Sequence, residues 1–196
     1  MRGKIKKAPA KEVIDYLIRP GIESDLARSY QTILSVNKAH VIMLAEEGII
    51  TKETAKQILK VTKDISAMQA HPVFEISPDV EDLYFNLERY LIQQTGIEIG
   101  GQQHTARSRN DMIACIARMD SRTYYLQICQ MFNDLRQVLL EFARLNTETV
   151  MSGYTHLQPS EPITMAHYCS AILNALERDY TRLQNAFNSL NICNLV

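Results

Sequence analysis

Long stretches of this chain repeat apolar residues at helical spacing, with no glycine or proline to interrupt them, and predict a mostly helical protein. Over Ser24 to Glu47, Leu26, Ile33, Val36, Ala39, Ile42 and Met43 fall near one face, and Gly48 marks the stop. Thr51 offers a capping hydroxyl to a second helix that runs through Ile58, Val61 and Ile65 to about Met68. Ser77-Pro78-Asp79 has the order of a helix start: a hydroxyl, a first-turn proline and an acid. Leu83, Leu87, Leu91 and Ile92 follow, and Gly96 ends that run. Asp111 to Val150 contains neither glycine nor proline. Helical over about 35 residues, it would be about 50 Å long. Leu126, Ile128, Met131, Phe132, Leu135, Val138, Leu139 and Phe142 make its centre apolar on more than one side, so protein must surround it. A second breaker-free stretch runs from Ile163 to the end of the sequence, and two such helices predict a bundle completed by other copies. Strand patterns are weak and no Asn-Gly turn occurs, so the expected class is all-α.

Composition narrows the function classes. The 196 residues allow one sizeable core, or a core plus a subdomain, and 46% hydrophobic with 22% charged residues argues against disorder. A net charge of −1 with scattered basic residues gives no nucleic-acid footprint. No apolar run is long enough to span a membrane, and the basic start MRGKIKKAPAKEVIDYL lacks the apolar segment of a secretory signal. Cys115, Cys129, Cys169 and Cys193 are widely spaced, without CxxC pairs, and read as reduced thiols of a cytoplasmic protein and not as metal ligands. Neither GxGxxG, P-loop nor HExxH occurs, so no cofactor is expected.

Two segments interrupt the helical pattern with dense polar chemistry. In Gly100-Gly101-Gln102-Gln103-His104-Thr105-Ala106-Arg107-Ser108-Arg109-Asn110-Asp111, paired glycines free the backbone ahead of hydroxyl, guanidinium and amide groups at a helix start. Helix-start amides favour anions and arginine forks match carboxylates, so this is a carboxylate- or phosphate-binding corner. A capped, solvated helix start with incidental charge accounts for the same residues, and Asp111 fits that reading well. Met151 to Pro162 joins the two long helices and sets the Thr155 hydroxyl beside the His156 imidazole, the side chain that titrates near neutrality. A lone loop histidine is more often a surface residue than a catalytic one. His40 reads as packed, His71 has no assigned role, and His167 reads as structural or capping.

HTARSRND at 104–111 resembles the first signature of the argininosuccinate lyase family, within the fumarase/aspartase superfamily, and GYTHLQPSEPIT at 153–164 resembles the second. SPDVEDLYFNLERYLI at 77–92 and AHVIMLAEEGII at 39–50 resemble that family's acidic and early helices. The resemblance implies a helical domain over 1–110 and part of a central long-helix bundle over 111–196, in a homotetramer whose active sites draw on three subunits. It implies elimination of fumarate from a small anionic substrate such as argininosuccinate, in arginine biosynthesis, without metal or cofactor. Position by position, Ser108, Arg109 and Asn110 would grip substrate carboxylates and Thr155 would donate to the same ligand. His156 would be the active-site histidine, and Asp82 an acid near the substrate's amino-acid end. The family's early serine would fall around Ser24, where the local match is poor.

Departures from the pattern matter. Tyr84 stands where the family reads histidine, Met112 where it reads glutamine, and a Trp-Gly-Gly-Arg-Phe opening is missing. The family's third signature, a Gly-Ser-Ser-x-Met-Pro-x-Lys loop whose serine is the catalytic base, is absent, so the sequence reads as an N-terminal part, inactive alone. The alternatives are a related lyase acting on another N-substituted aspartate and a non-catalytic helical scaffold.

Overall fold

The computed structural model describes residues 9–193, which divide into two compact units, one up to Asp120 and one over Ser121–Cys193. The division falls inside a long helix, after the 110/111 boundary expected from the sequence. Among the described residues no helix is long and apolar enough to cross a membrane.

The first unit begins with α1 (Lys11–Val13), a π-helical stretch Ile14–Ile18, α2 (Arg19–Arg28) and α3 (Tyr30–Glu46). The one helix expected over Ser24 to Glu47 is thus two, broken at Ser29, whose φ is −110°. That break is held by Asp120, which accepts from Ser29 Oγ at 2.7 Å and from Thr32 Oγ1 at 2.5 Å. Thr51 caps α4 (Lys52–Ala67) as expected, taking the Thr54 amide at 3.0 Å. Ser77-Pro78-Asp79 yields only a 3-10 turn, Pro78–Val80, because Glu81 at φ +80° cannot continue a right-handed helix. The helix starts afresh as α5 (Leu83–Thr95), with Asp82 capping the Phe85 amide at 2.9 Å. It stops at Gly96, φ +82°, and α6 (Ile97–Gly100) follows. A 3-10 segment, Gly101–His104, leads toward α7 (Arg109–Leu145).

Two apolar clusters hold this unit together. Ile33, Leu34 and Val36 of α3, Leu83 and Leu87 of α5, and Met112, Cys115 and Ile116 of α7 form one. Val41, Leu44, Ile50, Ala55, Ile58 and Leu91 form the other. Each fully buried leucine or isoleucine contributes about 1.5–3 kcal/mol. Met112, a departure from the family pattern, is 1% exposed, so core packing is what its side chain does here.

In the second unit the rest of α7 packs on α8 (Met165–Leu190) through Phe132 on Tyr180, ring centroids 6.1 Å apart, and Tyr125 on Phe187 at 5.4 Å. Thr164 caps α8 by accepting the His167 amide at 3.1 Å. The joining segment, expected as a polar loop, is instead a two-stranded antiparallel sheet of β1 (Val150–Thr155) and β2 (Gln158–Thr164). The class remains helical. Leu126, Met131 and Val138 of α7 are 55%, 70% and 62% exposed, the uncovered apolar surface the sequence predicts for a bundle member.

Candidate active site

The turn that presents Ser108, Arg109 and Asn110 is made by an alanine. Gly100 and Gly101 have ordinary right-handed φ values of −63° and −62°, so the paired glycines do not free the backbone as expected. Gly100 serves close packing: a Cβ there would lie 2.6 Å from Thr95 Oγ1 and 3.0 Å from Ile92 Cα. The left-handed residue is Ala106, at φ +55°. Behind it, His40 Nε2 donates to the Thr105 carbonyl at 2.9 Å. Burial lowers the His40 pKa, the hydrogen bond to Thr105 opposes that fall, and the nearby Arg107 charge adds to it. Ser108 and Asn110 are exposed at the start of α7, and the Ser108 hydroxyl accepts the Asn110 amide at 3.2 Å. The positive end of a long helix therefore opens onto solvent beside a hydroxyl and an amide.

Arg109 is already occupied. Its Nη1 donates to Glu81 Oε1 at 2.9 Å, its Nε lies 3.0 Å from Asp82 Oδ2, and its guanidinium stands 5.5 Å from the centre of the Phe85 ring. Asp82, expected near a substrate's amino end, has both carboxylate oxygens engaged within the protein, one by the Phe85 amide and one by Arg109. Asp25 is drawn into the same electrostatics. Burial first, then repulsion from Asp82 and Asp120, raises its pKa, and Arg109 partly offsets the rise.

Beneath the turn lies a network that the sequence did not single out. Arg107 is 8% exposed, and its Nη2 donates to Asn37 Oδ1 at 2.8 Å and to the Tyr84 hydroxyl at 3.2 Å. Its Nε and Nη1 have no hydrogen-bond partner among the described residues. The Tyr84 hydroxyl also meets His104 Nδ1 at 2.8 Å, and Glu88 Oε1 lies 3.2 Å from that same nitrogen. Burial pushes the Tyr84 phenol up to about 12, so it stays neutral at any working pH.

Thr155 and His156 belong to the second unit, exposed at the tip of its hairpin. Thr155 pairs with Gln158, and the two residues between them, His156 and Leu157, have φ of +47° and +64°. That is the conformation Asn-Gly turns favour, here adopted by two side-chain-bearing residues. Lower in the hairpin Ser152 pairs with Pro162 and Tyr154 with Pro159, so Gly153 alone faces Ser160 and Glu161 in a bulge. An open depression at the hairpin's base is lined by Ser152, Thr155, Ser160, Glu161, His167 and Tyr168. The Ser160 hydroxyl lowers the Glu161 pKa. Among the described residues no group of three or more histidine, cysteine, aspartate or glutamate side chains could hold a metal ion.

Comparison with known proteins places both polar segments inside a known family model. Residues 24–195 match the model described as lyase. The chain is 48% identical over 191 residues to argininosuccinate lyase 1 of Shouchella clausii, covering 97% of this chain and 38% of that protein. It is 35% identical over 194 residues to the argininosuccinate lyase of Methanosarcina acetivorans, covering 99% of this chain and 38% of the relative. The chain thus spans well under half the length of these relatives. Among solved structures, an EDDS lyase in complex with formate superimposes with a TM-score of 0.76 at 26% identity, covering 96% of this chain and 37% of that one.

Proposed function

Since the chain belongs to the lyase family, we propose that it is the N-terminal part of an enzyme that eliminates fumarate from argininosuccinate and releases arginine. The observation that carries this reading is the 48% identity to an argininosuccinate lyase over 97% of the chain, with both polar segments inside the match. In the reaction a base removes a proton from the carbon next to a substrate carboxylate. Electron density collects on that carboxylate, the C–N bond breaks, and the departing nitrogen takes up a proton. Anion anchoring is therefore the main electrostatic task.

Ser108 and Asn110, exposed at the start of α7, take a substrate carboxylate in this reading. Arg109 keeps Asp82 and exchanges the more exposed Glu81 for the substrate, so Asp82 acts as a positioning residue for that guanidinium. In an assembly whose active sites draw on three subunits, Thr155 donates a hydrogen bond to a substrate and His156 takes part in proton transfer or polarises it. The exposed apolar stripe of α7 supports a homotetramer in which a shared bundle covers it. A second reading, a lyase acting on another N-substituted aspartate, draws support from Tyr84 and from the likeness to the EDDS lyase.

The test uses the full-length enzyme and follows fumarate by its ultraviolet absorbance. Argininosuccinate should be turned over, and His156→Asn should lower turnover by about 10²–10⁴-fold with little change in stability. Fumarate release from a different N-substituted aspartate alone would favour the second reading. No release from any such substrate would leave a scaffold. Full activity in His156→Asn would remove the histidine from the mechanism.

A further inference from the structure

The two arginines of the Arg107-Ser108-Arg109 run are not equivalent electrostatically. Arg109 faces two carboxylates, Glu81 at 2.9 Å and Asp82 at 3.0 Å, which together more than neutralise it. Arg107 is 8% exposed and meets only neutral acceptors, the Asn37 amide oxygen and the Tyr84 hydroxyl. The face of the Tyr84 ring lies 5.7 Å from its guanidinium carbon, and no carboxylate pairs with it among the described residues. Two of its nitrogens have no hydrogen-bond partner there. Burying a charge this way is unfavourable for folding. A carboxylate in place of Asn37 would satisfy it, yet the sequence supplies an amide of the same shape.

We propose that Arg107, not Arg109, supplies the uncompensated positive charge that draws a carboxylate-bearing substrate to the turn at Ser108–Asn110. The proposal rests on the lyase reading and deepens it. Arg107 does not touch the ligand; it is a positioning residue that acts through the field at the start of α7. Three observations combine here. The charge is buried, where solvent screens it least. It sits in the residue adjoining Ser108, which like Asn110 is exposed at the start of α7. And its partners, Asn37 on α3 and Tyr84 on α5, hold it through neutral groups, while the carboxylate of that network, Glu88, meets His104 Nδ1 and not Arg107.

The decisive variant is Asn37→Asp, which sets a carboxylate against Arg107 with almost no change of shape. Succinate binding to the full-length protein, measured by calorimetry at several salt concentrations, reads the effect without turnover. Asn37→Asp and Arg107→Gln should each weaken succinate binding tenfold or more and flatten its salt dependence. Arg107→Lys, which keeps the charge, should retain most of the affinity. In the kinetics, KM should rise while kcat changes less than threefold. If Arg107 were purely structural, Asn37→Asp would strengthen its anchorage and leave succinate affinity unchanged, and that result overturns the proposal. So does equal loss in Arg107→Lys and Arg107→Gln. Failure of the wild-type protein to turn over argininosuccinate, with succinate still bound in an Arg107-dependent way, would sink the lyase reading and leave this one standing.

Discussion

Gly153→Ala tests whether the hairpin is stiff enough to hold His156 in place. A Cβ at this position would lie 3.0 Å from the Glu161 carbonyl oxygen, 3.6 Å from Ile163 Cγ2 and 3.9 Å from Ile163 Cδ1. The first contact is the tight one, and its atom is backbone. Restoring ordinary contact requires β1 and β2 to part by about 0.4–0.5 Å at the bulge. The ladder pairs Ser152 with Pro162 and Tyr154 with Pro159 on either side, so the strain cannot be taken up by a rotamer. Overpacking of this kind costs about 1–3 kcal/mol, and the loss of glycine's freedom in the unfolded chain offsets about 0.4–1 kcal/mol. A net destabilisation of about 1 kcal/mol, and at most about 2.6 kcal/mol, follows. Since a shift of about 1 Å can cost 100-fold in rate, half of that at the hairpin should lower turnover between about three- and thirtyfold. Gly21→Ala is the control, because nothing lies within 4 Å of its added Cβ and α2 continues through it. It should be neutral or stabilising by about 0.5–1 kcal/mol. Both variants belong in the full-length enzyme, with thermal unfolding and fumarate absorbance as the readouts. Gly153→Ala behaving like Gly21→Ala in both would mean that the hairpin yields freely and does not set the position of its tip.

Two further predictions come from charge and from exposed surface. The Asp25 carboxyl is raised above 3.8, so the folded state holds its proton more tightly than the unfolded chain. Its contribution to stability is complete below 3.8 and is lost as pH rises through the raised value, so Asp25→Asn should be the more stable protein at neutral pH and match wild type in acid. Parallel unfolding temperatures for the two proteins across that range would contradict the assignment. Met131→Glu combined with Val138→Glu puts two charges on the uncovered stripe of α7, and sedimentation at micromolar concentration should show a smaller species than the wild-type assembly. An unchanged sedimentation coefficient would mean that this stripe lies outside the interface.

Much of the helical frame was legible because its signals are local. Thr51 caps α4, Gly96 ends α5, and the absence of breakers between Asp111 and Leu145 gives α7. The failures arose where two local signals compete or where the cause is distant. Ser77-Pro78-Asp79 is a sound start signal, but Glu81 turns left-handed and Asp82 caps instead. The break at Ser29 depends on Asp120, ninety-one positions away in sequence, which no window can see. The hairpin was hidden because its turn residues are His156 and Leu157, and because Pro159 and Pro162 argue against a strand unless it is an edge. At Gly100 a glycine suggests backbone freedom, but its use is to make room for Thr95 and Ile92. At the site, the block 104–111 stood out by its density of polar groups. Which of its two arginines turns inward is decided by Asn37 and Tyr84, and neither carries a local mark of that task.

The left-handed pair at the hairpin tip bears on any attempt to engineer this protein. Holding His156 and Leu157 at φ +47° and +64° stores about 1–3 kcal/mol per residue that a glycine or asparagine would release. Leu157 is 92% exposed, so its replacement disturbs no packing within the chain. A selection for heat resistance alone would therefore be drawn early to Leu157→Gly or Leu157→Asn. With Gly, the selected variants would unfold later but hold the turn less rigidly, and if His156 has the role proposed for it, screening for stability would wear away activity from this one position outward.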